Sequence, residues 1–255
     1  FEFNTQYQSF PFIYNNSIYN FGGYGLFTFK NIITYFNESK KETELVNIKT
    51  PASKHPIGRK KMFAQLVENK LYIGSGFGYD TNIEDGYKKG GVFEDYWFFD
   101  FKSKEWNKIG TGNSLTNDEK YSIIYDFEGK NLVITTDAVY SIDIENNEIQ
   151  FFENANIDLI KSKKKDLVKD YITYNSHLKG FYLILEKPNT ENKILFVTAA
   201  EFLGNPTRSE ELYSTDNYSL IYIGLLLIFR DANLKLCNFQ NLLIIDLEIV
   251  KKRYD

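Results

Sequence analysis

The chain has 255 residues, of which 43% are hydrophobic and 25% charged; this balance excludes a disordered chain and leaves room for one β-rich domain or two small ones. A net charge of −4 provides no global basic surface, so no nucleic-acid partner is expected. The single cysteine, Cys237, excludes an internal disulfide, which fits a reducing compartment and equally fits extracytoplasmic proteins that do without disulfides. The 22 Phe and 19 Tyr point to strands, where large rings pack on a pleated surface. The abundance of Asn, Ile and Lys reads as the coding bias of an AT-rich microbial genome.

The sequence opens at Phe1 without a charged n-region leading into an apolar stretch, and is strand-like from Phe10, Phe12 and Tyr14 onward; it reads as a processed chain or a fragment. Ile18–Gly25 (IYNFGGYG) aligns without gaps on Leu71–Gly78 (LYIGSGFG), an offset of 53 residues. Ile33–Asn37 then parallels Trp97–Phe101, an offset of 64, so the second copy holds an insertion, placed at Asp80 to Gly91. Glu44-Leu45-Val46 closes the first copy and Glu105-Trp106-Asn107-Lys108-Ile109 the second. A third set of strand-like runs follows at Ile123–Tyr125, Leu132–Thr136, Ala138–Ile142 and Glu148–Phe152, with a turn at Glu128-Gly129-Lys130.

Between Asn156 and Tyr171 the pattern changes. Ile157, Ile160, Leu167, Val168 and Tyr171 fall at helical spacing, and Lys163-Lys164-Lys165 reads as the solvated face of a short amphipathic helix. Strands resume at Phe181–Leu185 and Ile194–Val197, joined by a turn containing Pro188-Asn189. Tyr218–Phe229 is uncharged, but twelve helical residues reach only about 18 Å against the roughly 30 Å of a bilayer core. A buried strand or core helix and a degenerate or truncated membrane anchor both fit the run. The later Leu242–Ile245 stretch and the Lys251-Lys252-Arg253 end fit a cytoplasmic flank of such an anchor.

The order of strand, glycines, loop, aromatic strand, turn and Trp-containing strand, with a period near 50 residues, resembles the kelch repeat. Arg59 to Gly110 carries the resemblance most fully, with Arg59 before the first strand, a glycine-rich strand end, a large aromatic pair, Asp100 in the following turn and Trp106 on the last strand. In the Ile18–Val46 copy Gly22-Gly23 preserve the family's double glycine and Leu45 stands in the place of the Trp, whereas in the second copy Ser75 interrupts the glycines. The resemblance implies an all-β, kelch-type β-propeller, complete or incomplete, over residues 1–215, with a short helix. It implies close packing of blades at the glycines and a Trp lodged between blades. Residues 216–255 form an apolar C-terminal segment, read as a membrane anchor or as last strands. Some bacterial membrane proteins join a kelch-like ectodomain to a single span, so the expected location is extracytoplasmic, possible membrane attachment running through Tyr218–Phe229, with a cytoplasmic location as the alternative.

Candidate sites are sparse. Asp80-Thr81-Asn82-Ile83-Glu84-Asp85-Gly86 spaces oxygen donors like a calcium loop, but its glycine stands seventh and Gly91 occupies the twelfth place, where a bidentate acid is needed. The insertion is better suited to ligand contact, because long loops on a rigid scaffold collect binding residues. Tyr79, Asp85, Tyr87, Lys88 and Lys89 are the expected contacts, and Arg59 is either an inward ligand-binding arginine or the partner of a neighbouring loop carboxylate. His55, His177 and Cys237 match no copper-oxidase arrangement, and Gly74–Gly78 leads into a loop and strand rather than the helix a phosphate loop requires. No cofactor, metal or catalytic residue is expected. The leading reading is a non-catalytic binding or sensing module for a protein or extracellular ligand. The alternatives are a carbohydrate-active enzyme on a propeller and a degenerate orphan product.

Overall fold

The computed structural model describes residues 6–79, 90–112, 121–135, 137–159, 172–185 and 193–215. Phe1–Ser214 forms one unit and Thr215–Asp255 a second. The apolar runs of 216–255 lie outside the described residues, as do most of the predicted 156–171 helix and the Pro188-Asn189 turn.

The first unit is built of small antiparallel sheets laid down in chain order. The first contains β1 (Phe10–Tyr14), β2 (Ser17–Phe21), β5 (Ile33–Asn37) and β6 (Glu42–Leu45); between β2 and β5 rises a two-stranded hairpin, β3 (Tyr24–Gly25) and β4 (Thr28–Phe29). The second contains β8 (Phe63–Val67), β9 (Lys70–Gly74), β12 (Asp95–Asp100) and β13 (Glu105–Thr111). Beside it β7 (Arg59–Lys60), β10 (Phe77–Tyr79) and β11 (Gly90–Val92) make a three-stranded sheet. The third contains β14 (Ser122–Phe127), β15 (Lys130–Ile134), β16 (Val139–Asp143) and β17 (Glu148–Phe151), and the fourth β18 (Ile172–Asn175), β19 (Gly180–Leu185) and β20 (Lys193–Thr198). The chain then turns through α1 (Ala199–Leu203) and returns as β21 (Arg208–Glu211), which pairs with β17 at the edge of the third sheet. None of these sheets closes on itself.

Alternation along the strands explains the packing, because residues two apart share a face. In β9, Leu71 and Ile73 join Phe10, Phe12, Phe21, Ile33, Met62, Ala64, Phe99 and Trp106 in a core between the first and second sheets. Tyr72 points the other way, into a second core with Phe63, Tyr96, Val133, Tyr140, Ile142 and Ile149 between the second and third sheets. Leu132, Ile134 and Val139 then pack with Phe181, Leu183, Val197 and Phe202 between the third and fourth. The second and third sheets are thus covered on both faces. Trp106 is buried with Phe21 on one side and Phe99 on the other, both ring centroids 5.2 Å away, so it joins two sheets.

Polar groups also cross these interfaces. The Ala64 amide donates to Asn131 Oδ1 at 3.0 Å and the Ile144 amide to Gln65 Oε1 at 2.9 Å. The Tyr125 hydroxyl donates to the Met62 carbonyl at 3.0 Å. Each satisfies a backbone group that burial would otherwise leave without a partner.

The repeat is visible in the backbone. β1 and β2 recur as β8 and β9 at the offset of 53, and the positive-φ pair Gly22 (φ +70) and Gly23 (φ +90) recurs as Ser75 (φ +53) and Gly76 (φ +91). Beyond the insertion the register differs from the sequence alignment. The hairpin-closing pairs Asn37↔Glu42 and Asp100↔Glu105 stand 63 residues apart, so Trp106 is equivalent to Thr43 rather than Leu45. Cross-strand pairing sets this register, and the aromatic residues common to both strands conceal a one-residue slip. The face of the second sheet that carries Phe99 and Trp106 corresponds, in the first sheet, to an exposed face bearing Ile13, Ile18 and Phe36.

The C-terminal part of the unit holds elements absent from the sequence reading. α1 is one short helix, started by a capping box in which Thr198 and Glu201 bond each other's backbone amides. Of the predicted 156–171 helix the described part is a single 3-10 turn, Ile157–Leu159. Among the described residues no helix is long and apolar enough to cross a membrane.

Candidate functional site

Four first strands converge on one cleft. Gln8 and Ser9 lead into β1, Lys61 precedes β8, Tyr121 immediately precedes β14 and Ser122, Ile123 and Tyr125 lie on it, and Ile172 opens β18; together they line a cavity of about 190 Å³. Gln8 and Lys61 are repeat equivalents, 53 residues apart, and both bend through positive φ (+57 and +50) as the chain enters its sheet. The Lys61 amide donates to the Gln8 carbonyl at 3.2 Å, which ties these two bends together.

The third contributor interlocks with the second. The Tyr121 hydroxyl donates to the Lys61 carbonyl at 2.7 Å, the Lys61 ammonium donates to the Tyr121 carbonyl at 3.3 Å, and that ammonium lies 5.8 Å from the Tyr121 ring centroid. Burial raises the Tyr125 pKa, so its phenol stays a neutral donor. The cleft is therefore lined by the Lys61 ammonium, itself bonded to the Tyr121 carbonyl, by the Gln8 amide and by hydroxyls, against the apolar surface of Ile123 and Ile172. Few oriented polar groups on an apolar wall are the usual make-up of a ligand site.

The residues expected from sequence are distributed differently. Asp85, Tyr87, Lys88 and Lys89, with the rest of the Asp80–Gly86 stretch, lie outside the described residues. Tyr79 is half-buried on β10, its ring edge-on to Phe29 at 4.8 Å, in an aromatic platform that also contains Tyr24 and Phe77.

Arg59 is fully buried and paired with Asp95 at the head of β12. Its two terminal nitrogens reach Asp95 Oδ1 and Oδ2 at 2.6 and 3.0 Å, Nη1 also donates to the Ser75 carbonyl and Nε to the Ile57 carbonyl, and the guanidinium stacks 4.5 Å from the Phe93 ring. Burial alone would raise the Asp95 pKa, but the Arg59 charge and hydrogen bonds, with the Trp97 indole, outweigh it and hold the carboxyl below its ordinary value. This pairing spends the guanidinium on the protein itself: it locks the glycine turn to β12.

His55 bonds the Thr50 carbonyl, and the His177 amide bonds the Asn175 side chain. Among the described residues no cluster of three or more His, Cys, Asp or Glu is placed to hold a metal.

Sequence reasoning missed the cleft. Only the constant 53-residue spacing of Gln8 and Lys61, two positions before Phe10 and Phe63, hinted at it. No family model matches the chain, and no curated protein matches it. Among solved structures, that of YjhT aligns at 13% identity with a TM-score of 0.44, over 69% of this chain and 58% of that one. The chain thus spans little more than half the length of that protein.

Proposed function

We propose that residues 1–215 are blades of an incomplete kelch-type propeller and that the protein is a non-catalytic binding module whose ligand seats in the cleft where the first strands meet. The convergence of β1, β8, β14 and β18 on that cleft carries the reading, because a propeller gathers the first strand of each blade around its axis. The repeated positive-φ pair and the burial of Trp106 between two sheets support the kelch assignment. The exposed outer face of the first sheet, with Ile13 and Ile18, is what an unclosed stack of blades leaves uncovered. The cleft's groups are suited to holding a small polar molecule or a protruding side chain by hydrogen bonds and one positive charge.

Ligand-observed NMR with a panel of monosaccharides, amino acids and small carboxylates tests the assignment. Hits should disappear in Lys61→Met and weaken in Gln8→Ala, while a distant surface change such as Lys104→Met leaves them intact. A panel without hits, or hits indifferent to both cleft variants, would show that the cleft is not the binding site.

A further inference from the structure

The stack of four sheets ends in two faces whose strand residues carry no charge. On the first sheet, direct cross-strand pairs put Pro11 and Ile13 of β1, Ile18 and Asn20 of β2, Phe36 of β5, and Thr43 and Leu45 of β6 on the side turned away from the second sheet. Ile13 is 70% exposed and Ile18 58%, and Phe36 and Leu45 are exposed beside them. The charged residues of these strands, Glu42 and Glu44, alternate onto the other side, where Glu44 accepts a hydrogen bond from the Tyr35 hydroxyl. On the fourth sheet, Thr173, Tyr182, Ile194 and Phe196 share the side turned away from the third; Ile194 is 71% exposed, and the Tyr182 and Phe196 rings lie 5.2 Å apart. A sheet face that stays in water alternates to polar and charged side chains, so uncharged faces with exposed Ile and Phe mark contact surfaces.

Packing inside the chain names the occupant. The inner side of the first sheet covers Leu71, Phe99 and Trp106 of the second. At the offsets of 53 and 63 their equivalents are Ile18, Phe36 and Thr43, all on the outer face of the first sheet. That face therefore has the make-up of one that receives the far side of another sheet. Among the described residues, the fourth is the sheet of this stack whose far side is uncovered. Within one chain the two faces do not cover each other, since Ile13, Ile18 and Ile194 all stay exposed. A second copy supplies the face each lacks. One contact of three or four strands by about five residues buries roughly 500–600 Å² over both faces, below the about 1,000 Å² of a specific interface. Two copies that each present both faces make the contact twice and reach that size in a closed two-fold arrangement.

We propose that two copies of this chain associate head to tail, the outer face of each first sheet lying on the outer face of the other copy's fourth sheet. Ile13, Ile18 and Phe36 of one copy then pack on Tyr182, Ile194 and Phe196 of the other, in the way each sheet already packs on its predecessor within the chain. The pairing rests on reading the sheets as blades: four from each copy together stay within the roughly four to eight of a closed propeller. It does not depend on what the cleft binds.

Sedimentation of the full chain tests it. The wild type is expected at twice its 29.8 kDa, and Ile18→Asp and Phe196→Asp should each raise the dimer Kd about tenfold or more, because each leaves a carboxylate unpaired in an apolar contact. Both variants should keep the wild-type circular dichroism, the changed side chains being exposed in a single copy. In a Cys237→Ser background, a short bismaleimide should join Ile18→Cys of one copy to Phe196→Cys of another when the two variants are mixed. A dimer indifferent to both acidic substitutions, or one that yields no mixed cross-link, overturns the proposal by placing the contact elsewhere. A dimer broken by only one of them overturns it too, since that face then pairs with itself. A monomeric wild type is the third refuting result: slow modification of Ile18→Cys by a thiol reagent then means that another part of the chain covers the face, and fast modification leaves it to a different protein. The ligand panel reads the cleft in each case, so failure of the pairing and failure of the binding-module reading are told apart.

Discussion

Replacing Ser75 with glycine should stabilise the protein. Ser75 sits at φ +53, and left-handed backbone costs a non-glycine residue about 1–2 kcal/mol. Its hydroxyl is buried and has no hydrogen-bond partner among the described residues, a further cost of about 1–3 kcal/mol. Against these gains stand the extra freedom of glycine in the unfolded chain, about 0.4–1 kcal/mol, and the lost burial of one carbon, about 0.8 kcal/mol. The Arg59 bond at this position goes to the Ser75 carbonyl and survives the change. The net effect is a gain of about 0–4 kcal/mol, centred near 2. At about 2–4 °C per kcal/mol for a unit of this size, calorimetry should show a rise of about 5 °C. The mirror exchange at the equivalent position, Gly22→Ser, should act in the opposite direction. A Cβ there would lie 2.6 Å from Met62 Cε and 2.8 Å from the Arg59 carbonyl oxygen, on a backbone at φ +70. A loss of about 2 kcal/mol or more follows from overpacking and backbone strain together. If Ser75→Gly lowers the melting temperature, or the two exchanges move it the same way, the argument from the repeated turn fails.

Three further outcomes are expected. Asp95→Asn should lower the melting temperature at neutral pH by leaving Arg59 buried without its counter-charge, about 3–5 kcal/mol. Because the folded Asp95 pKa is depressed, the pair's contribution is present above the unfolded value near pH 4 and is lost as pH falls through the folded value; the gap between variant and wild type should therefore narrow in acid, and a constant gap contradicts the pairing. Trp106→Ala should cost about 3–5 kcal/mol in guanidinium unfolding and Trp106→Phe distinctly less, since the indole Nε1 has no partner among the described residues; equal losses would mean that ring packing between the sheets is not what matters. Burial raises the pKa values of Tyr125, Tyr140 and Tyr96 and carries that of Tyr72 to about 12, so stability present below about pH 10 should be lost as pH climbs through these raised values. Ultraviolet difference titration should show these phenols ionising late and together with unfolding; early, independent ionisation would contradict their burial.

The strands of the first three sheets are legible in the sequence wherever alternation, a turn signal and bulky apolar residues coincide, as at Phe10–Tyr14, Leu71–Gly74 and Leu132–Ile134. These signals are local, and each strand carries its own. The repeated Gly22-Gly23 and Ser75-Gly76 turn is legible for the same reason: only a few residue types accept that backbone, so its spacing marks equivalent places. The polar strand Arg208–Glu211 has no apolar face and exists because the edge of β17 is there to pair with it. Ala199–Leu203 is too short for helical periodicity to register, although Thr198 and Glu201 carry a capping signal.

What the sequence determined by itself was the main apolar strands and the 53-residue repeat, because these depend on neighbours along the chain. Tertiary structure alone decided the pairing of Arg59 with Asp95, the register that sets Trp106 against Thr43 instead of Leu45, and the cleft built from Gln8, Lys61, Tyr121 and Ile172. Those features join residues separated by tens to more than a hundred positions, and hydrogen bonds and packing between sheets choose among registers that the local pattern leaves equivalent.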